Sequence, residues 1–211
     1  MARPAHASSE DTYDAILDVA LAIVRESGPD ACSLREVARR ADVSTGTIQY
    51  YFENRAGLLE ACLDHLYAWV TREVLAELEL IAASGDVLSS LERITRKALR
   101  FTRENQELVR MRYMTTMERG ALPDQRLVRQ LLPLLDKVGG QLAPDAPVKV
   151  RLRLAAHTLE LAVSRYALHT DEECLQITGL GELPAALRAV EDHLVAHAKT
   201  LFLGALAPQA G

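Results

Sequence analysis

Side chains that hydrogen-bond to nucleic acids are concentrated between Ser33 and Leu59. Gln49 can pair with the edge of an adenine, and Thr47 can donate, accept or touch a thymine methyl group. Tyrosine hydroxyls and arginine guanidinium groups are suited to phosphates of the DNA backbone. The outward-facing residues that this segment offers for such contacts are Thr45, Thr47, Gln49, Tyr50, Tyr51 and Arg55.

The charge around this segment is basic only locally. The chain carries a formal net charge of −5, and residues 1–60 contain six arginines, no lysine and ten acidic residues. DNA binding depends on a local basic face and not on the total charge. We expect Arg39 and Arg40 to be solvated or to act at long range. Selectivity should therefore depend mainly on Arg35, Thr47, Gln49 and Tyr50.

Other chemistry is poorly supported by the sequence. His193 and His197 are four residues apart, a spacing that can bind a metal ion, but no third ligand follows at a fixed spacing. His157 with Glu160 is an equally weak acid–base pair. We find no Ser/His/Asp order, phosphate-binding glycine loop or zincin motif. The sequence predicts no enzyme, cofactor or metal, with a helical-bundle enzyme or metal-binding protein as a remote alternative.

Helices must position these groups. Periodic Leu, Ala and Val separated by charged residues predict an all-α fold of about nine helices: a three-helix helix-turn-helix domain, then a larger helical domain. Ser33, Ser44, Asn54 and Asp86 are predicted N-caps, and Ser8 could cap the first helix. The expected divisions are a flexible arm over 1–9, the helix-turn-helix over 10–53, a ligand-binding and dimerisation domain over 54–206, and a flexible tail over 207–211.

The run VARRADVSTGTIQYYFENRAGLL resembles the DNA-binding domain of the TetR family of bacterial one-component regulators. Two residues depart from the usual pattern: Asp42 replaces a glycine of positive φ in the turn, and Arg55 replaces a lysine. Asp tolerates that conformation better than most residues. The resemblance implies that Arg35 reads a guanine and that Thr45, Gly46, Thr47 and Gln49 face the groove. It also implies backbone contacts from Ser33, Ser44, Tyr50, Tyr51 and Arg55.

Beyond the motif, the sequence predicts helices over about 104–118, 123–138, 148–169 and 184–206, with a loop over 144–147 and a connection over 171–183. The resemblance implies a homodimer formed through the last two long helices. The residues expected in the dimer seam are Ala155, Leu159, Ala162, Val163, Tyr166, Ala186, Val190, Leu194 and Leu201.

A sensor of this kind needs a cavity for a small-molecule effector. Thioether and aromatic side chains adapt to apolar ligands, and an occasional polar group can orient one. The predicted pocket residues are Trp69, Phe101, Arg110, Met111, Tyr113, Met114, Met117, His157 and Arg165.

The predicted protein is cytoplasmic and has no membrane partner. The first residues lack the apolar core of a signal peptide, and the three cysteines, Cys32, Cys62 and Cys174, fit reduced thiols. We expect a repressor released from double-stranded operator DNA by a small, largely apolar or aromatic effector. An activator or a ligand-independent regulator with the same DNA-binding mode is the alternative.

Overall fold

The computed structural model describes residues 9–119 and 146–207. These residues form nine α-helices and one short 3-10 helix over Pro29–Ala31, and they contain no strand, so the all-α prediction is confirmed. The α-helices are α1 Ser9–Ser27, α2 Leu34–Arg40, α3 Thr45–Phe52, α4 Arg55–Ser84, α5 Val87–Glu104, α6 Gln106–Arg119, α7 Ala146–Ala167, α8 Asp171–Thr178 and α9 Leu183–Leu206. Within those ranges, no helix has the length and apolarity that crossing a membrane requires.

The chain divides into two compact units. In the described ranges, the first unit holds residues 9–66 and 107–118, and the second holds residues 67–106, 119 and 146–207. Each unit therefore takes part of α4 and part of α6. The predicted boundary at residue 53 stays a prediction. Residues 1–8 of the arm predicted over 1–9 lie outside the described residues, and its last residue, Ser9, begins α1. The Ser8 cap, the helix over 123–138 and residues 208–211 of the tail predicted over 207–211 also lie outside the described residues.

The core of the first unit draws apolar side chains from all of its helices. The almost completely buried side chains of this core include Ile16 and Ile23 of α1, Val37 of α2, Ile48 of α3 and Leu58 of α4. Burial of each such side chain stabilises the fold by about 1.5–3 kcal/mol relative to exposure. The small helices α2 and α3 are therefore held mainly by packing, since isolated helices of seven or eight residues are unstable in water.

Side-chain caps begin these helices where the sequence predicted them. The Oγ atoms of Ser33 and Ser44 accept hydrogen bonds from the backbone N–H groups of Glu36 and Thr47 at 3.2 and 3.0 Å. Asn54 and Asp86 accept comparable bonds at the starts of α4 and α5. Each cap satisfies a backbone donor that the helix leaves without a partner, so all four predictions are confirmed.

The turn before α3 has the conformation predicted for it. Asp42 has φ 53°, in the left-handed region where the family pattern has glycine. A second non-glycine residue of positive φ, Glu53 at 62°, follows α3 and was not predicted. Just beyond it, Gly57 approaches the chain so closely that a Cβ atom there would collide with the Phe52 carbonyl oxygen. The end of α3 therefore meets the start of α4 in a tight turn that needs a glycine.

The second unit packs α5 and α7 against α9 around one apolar cluster. The buried members of this cluster are Leu99 of α5, Val163 and Ala167 of α7, and Val190 and Leu194 of α9. A smaller cluster joins α7 to the end of α9 through Leu152, Ala155 and Ala205.

These clusters correct the predicted dimer seam. The prediction is wrong for Ala155, Val163, Ala186, Val190 and Leu194, because they are buried between helices of the same chain. The sequence shows that α7 and α9 are apolar, but the structure shows which side of each is already covered.

Two helix predictions near this core also need correction. The segment 171–183, expected only to join the two long helices, contains α8, which Thr170 and Glu173 begin with a reciprocal capping box. α7 begins at Ala146, inside the loop expected over 144–147, and Pro147 lies in its first turn, where the missing N–H has no helical partner to lose.

Candidate nucleic-acid interface

The helix α3 presents a polar face and anchors itself by its opposite face. Ile48 and Phe52 are buried in the core of the first unit. Thr45, Gly46 and Gln49 are exposed on the other side. Such a helix can enter a major groove, where an amide side chain reads base edges and a glycine permits close approach. The structure therefore brings these three predicted residues onto one accessible surface.

Two adjacent tyrosines have different surroundings. The Tyr50 side chain is 80% exposed and meets the Tyr51 ring edge-on with centroids 5.1 Å apart. Tyr51 packs partly against the core, and its hydroxyl lies 3.0 Å from Ser9 Oγ. The Tyr50 side chain is thus open to solvent, whereas Tyr51 links α3 to the first turn of α1.

A pair of hydroxyl groups stabilises the first turn of α3. Ser44 Oγ accepts from the Thr47 backbone N–H and lies 2.8 Å from Thr47 Oγ1. Ser33 caps α2 in a similar way. Each serine uses an oxygen lone pair for the cap and keeps a hydroxyl hydrogen to donate, and in the Ser44–Thr47 pair either hydroxyl can be the donor.

The arginines of this segment have unequal freedom. Arg35 is exposed and, among the described residues, makes no hydrogen bond or ion pair. Arg55 instead donates from Nε and Nη2 to the backbone carbonyls of Cys32 and Pro29, at 3.1 and 2.6 Å. Asp30 lies 3.4 Å from the same guanidinium. Arg35 therefore has all of its donors available for DNA, while Arg55 already closes the end of the 3-10 helix.

Arg39 and Arg40 are paired with carboxylates. Arg39 binds Glu36 through Nε and Nη2 at 2.9 and 2.6 Å, and Arg40 Nε binds the same carboxylate at 2.9 Å. Arg40 also reaches Glu26 of α1 at 2.7 Å. Hydrogen bonds from the two arginines lower the pKa of Glu36 to about 2. The carboxylate therefore remains charged at neutral pH, and the two arginines are exposed to solvent, as the sequence suggested, but are also paired with carboxylates.

Comparison with known proteins identifies this arrangement. Residues 16–62 match the family model described as bacterial regulatory proteins, tetR family. The HTH-type transcriptional regulator BetI of Serratia proteamaculans is 36% identical over 67 residues, which are 32% of this chain and 34% of BetI. The helix-turn-helix segment is thus that of the TetR family. The BetI match covers about a third of that relative's length, and all ten predicted DNA contacts lie inside residues 16–62.

The TetR-family likeness extends beyond this domain in fold. An HTH-type transcriptional regulator in the dhlA 5′ region of Xanthobacter autotrophicus is 28% identical over 155 residues, covering 72% of this chain and 76% of that protein. The crystal structure of a TetR-family regulator from Mesorhizobium loti matches with a TM-score of 0.68 at 14% identity, covering 94% and 98% of the two chains. At that identity the match shows the shared helical architecture alone.

The residues predicted for an effector pocket are distributed over both units. Trp69 and Phe101 stack in the second unit, with ring centroids 3.7 Å apart and planes inclined by 7°. Met111 packs against the core of the first unit. Met114 and Met117 are exposed, at 55% and 81%. A pocket containing all of these residues stays a prediction.

The polar members of the predicted pocket have local partners. Arg110 Nε lies 3.6 Å from Glu107, and the Arg112 guanidinium lies 4.8 Å from the centre of the Tyr113 ring. His157 Nδ1 is 3.8 Å from Glu160, and Arg165 Nη1 is 3.3 Å from His169 Nδ1.

His193, His197 and the three cysteines are candidates by residue type for metal binding or redox chemistry. The His193 and His197 rings are parallel, with centroids 6.4 Å apart. Nowhere in the described ranges do three or more His, Cys, Asp or Glu side chains group as metal ligands. All three cysteines are buried, and burial raises the pKa of Cys62 to about 12. At neutral pH this thiol is not in the thiolate form that redox reactions need.

Proposed function

We propose that this protein is a DNA-binding transcriptional regulator, most simply a repressor that a small molecule releases from its operator. The observation that carries the proposal is the exposed polar face of α3 beside the unpaired Arg35, on the helix-turn-helix of a TetR-family domain. This surface combines groups able to read bases with groups able to bind phosphates, and both are carried by helices packed on one core.

In the proposed complex, α3 lies in the major groove and α2 supports it. Gln49 and the Thr45–Thr47 turn face base edges, and Arg35 donates to a guanine. The residues assigned to backbone phosphates are Ser33, Ser44, Tyr50, Tyr51 and Arg55. For Arg55 this requires donors beyond those that already bind the Pro29 and Cys32 carbonyls.

The test of DNA binding starts from a random-site selection, followed by fluorescence-anisotropy titration of the selected duplex at several salt concentrations. Arg35→Ala should weaken binding to the selected site by about 1–3 kcal/mol and relax base preference at one position. Arg72→Ala, an equal change of charge at an exposed residue of α4, is the control and should have little effect. Failure to select any preferred site, or equal effects of the two variants, would contradict the proposal.

We also propose that two copies act together on a two-fold operator. One helix-turn-helix gives weak and poorly selective binding, which a symmetric dimer improves. The second unit offers a surface for this purpose. Val150, Leu154 and Leu161 are 54%, 61% and 44% exposed, and with His157 they form one face of α7. On α9, His193, Ala196, Thr200 and Leu203 form a second exposed face.

The proposed effector is small and largely apolar or aromatic, and its first candidate site is the stack of Trp69 with Phe101. The effector would favour a conformation in which the two α3 helices no longer fit successive major grooves. Trp69 is the only tryptophan of the chain, so its fluorescence reports on this site directly. A compound that dissociates the operator complex should change this emission in the wild type. If Phe101→Ala leaves the compound's affinity unchanged, the site is elsewhere.

A further inference from the structure

The carboxylate of Glu36 binds two arginines of the helix-turn-helix. Along α2, Leu34, Val37 and Ala38 pack toward the core, so Arg35, Glu36, Arg39 and Arg40 share its outer side. Arg35 and Arg39 are four residues apart and therefore lie on neighbouring turns of one face. The residue proposed to read a guanine is thus next to a cation that Glu36 has already bound.

The bond between Glu36 and Arg39 has the geometry that a phosphate would otherwise use. Two guanidinium nitrogens donate to the two oxygens of one carboxylate, at 2.9 and 2.6 Å. Arg–carboxylate and Arg–phosphate pairs share this bidentate arrangement, and both are stronger than neutral hydrogen bonds. Arg39 must therefore give up Glu36 before its Nε–Nη2 edge can hold a phosphate, and until then only the remaining N–H groups of Nη1 and Nη2 are available.

The same carboxylate also occupies Arg40. Nε of Arg40 binds Glu36 at 2.9 Å, while its Nη1 binds Glu26 at 2.7 Å. Arg40 is therefore held by carboxylates of two helices. Since Arg55 donates to backbone carbonyls, Arg35 is the one motif arginine that the described structure leaves unpaired.

We infer that Glu36 makes binding selective by holding Arg39 and Arg40 away from phosphates, so that duplexes lacking an operator are bound weakly. This inference rests on the proposed function. Binding to non-operator DNA is driven by phosphate contacts and the release of counterions. Operator binding also gains from base contacts, and these do not involve Arg39 or Arg40. An internal anion that competes for two arginines therefore weakens non-operator binding more than operator binding.

The decisive variant is Glu36→Gln, measured by anisotropy on a random-sequence duplex from about 50 to 200 mM salt. We expect the affinity to rise about threefold to tenfold and the slope of log K against log salt to steepen by about 1 to 2, as one or two further phosphates are bound. Affinity for the selected operator should rise less. Asp18→Asn is the matched control, because it removes one exposed charge of α1 that has no partner in the described ranges. It should change affinity by less than about twofold.

A mutant cycle separates the release of arginines from the change in net charge. In an Arg39→Ala/Arg40→Ala background, Glu36→Gln should have no more effect than Asp18→Asn. Equal effects of Glu36→Gln and Asp18→Asn in the wild-type background would overturn the inference, as would an equal gain for operator and random DNA.

A second variant tests the inference even if Glu36→Gln does not fold by circular dichroism. Arg39→Ala alone should change random-duplex affinity by less than about twofold, because the bound arginine contributes little there. A larger loss would show that Arg39 already holds a phosphate, and the inference would be wrong. Failure to select an operator counts against the proposed regulator, whereas the random-duplex measurements test Glu36 on their own.

Discussion

At the scale of single residues, the helix-turn-helix uses unusual backbone positions to set α3 between two turns. Asp42 adopts φ 53° before the helix and Glu53 adopts 62° after it. A positive φ destabilises a non-glycine residue by roughly 1–2 kcal/mol. The burial of Ile48 and Phe52 must therefore offset this cost at both Asp42 and Glu53. The first position was predictable, because Asp stands where a known pattern has glycine. The second was not, because nothing in the sequence around Glu53 distinguishes it from an ordinary helix end.

Gly57 gives a residue-scale prediction about this same turn. An alanine Cβ would collide with the Phe52 carbonyl oxygen, so the α3–α4 turn must shift or the fold must lose contacts. We expect Gly57→Ala to lower the free energy of unfolding by about 1–3 kcal/mol, measured by urea denaturation.

Gly46→Ala is the matched control for that measurement. Its Cβ would have only Ser44 Oγ nearby, at 3.6 Å, and alanine favours a helix over glycine by about 0.5–1 kcal/mol. This variant should therefore be as stable as the wild type or more so, although it places a methyl group on the proposed DNA surface. Equal stabilities for the two variants would show that the close approach at Gly57 is not a constraint.

At the scale of elements, α5 is a basic helix held between acidic partners. Toward α4, Arg93 binds the buried carboxylate of Glu77 at 2.8 Å. Toward α9, Arg96 and Arg100 both bind Glu191, whose side chain is only 9% exposed. Hydrogen bonds, first of all from Arg100, hold the pKa of Glu191 below its ordinary value. These pairs fix the orientation of α5 in the second unit, in addition to its apolar contact through Leu99.

Glu191→Gln should weaken this unit in a pH-dependent way. Removing a buried carboxylate that binds two arginines should cost about 1–2 kcal/mol at pH 7, a value reduced because Arg100 is largely exposed. Because folding lowers the pKa of Glu191, its contribution is complete above the ordinary value near 4.5 and is lost as the pH falls below it. The stability difference from wild type should thus be constant from pH 7 to 5 and shrink toward pH 3. Asp192→Asn, whose side chain is 65% exposed, should cost less than about 0.5 kcal/mol.

The elements also show what a sequence can and cannot predict. The caps at Ser33, Ser44, Asn54 and Asp86 were predictable because each depends on one side chain and the N–H groups that follow it. Thr170 and Glu173 form the same kind of local signal, and attention to it would have found α8. The exposed face of α7 could not be found in this way. Leu152 is buried and Leu154 is 61% exposed, although both are leucines in one apolar helix, and only tertiary packing decides between them.

At the scale of the whole molecule, a dimer would explain why α7 keeps an apolar face outside the core. The exposed face of α7 consists of Val150, Leu154 and Leu161, which are separated by four and then seven residues and so lie on one side of the helix. The opposite side of α7 carries the buried Leu152, Ala155 and Val163. Exposed leucines that stand singly need no explanation, whereas a contiguous stripe on a long helix marks an interaction surface. A symmetric contact between two copies would cover this stripe with an identical one.

Leu154→Arg tests that contact, because it places a charge at the centre of the stripe without entering the core. We expect the variant to be monomeric by size-exclusion chromatography with light scattering at concentrations where the wild type is a dimer. Since a monomer contacts only one half-site, operator affinity should fall by at least about tenfold while helical content stays unchanged. Leu88→Arg, at a 40% exposed leucine of α5 outside the stripe, should remain dimeric. A dimeric Leu154→Arg protein would place the interface elsewhere, and the two half-sites of the operator would then have to be joined through a different surface.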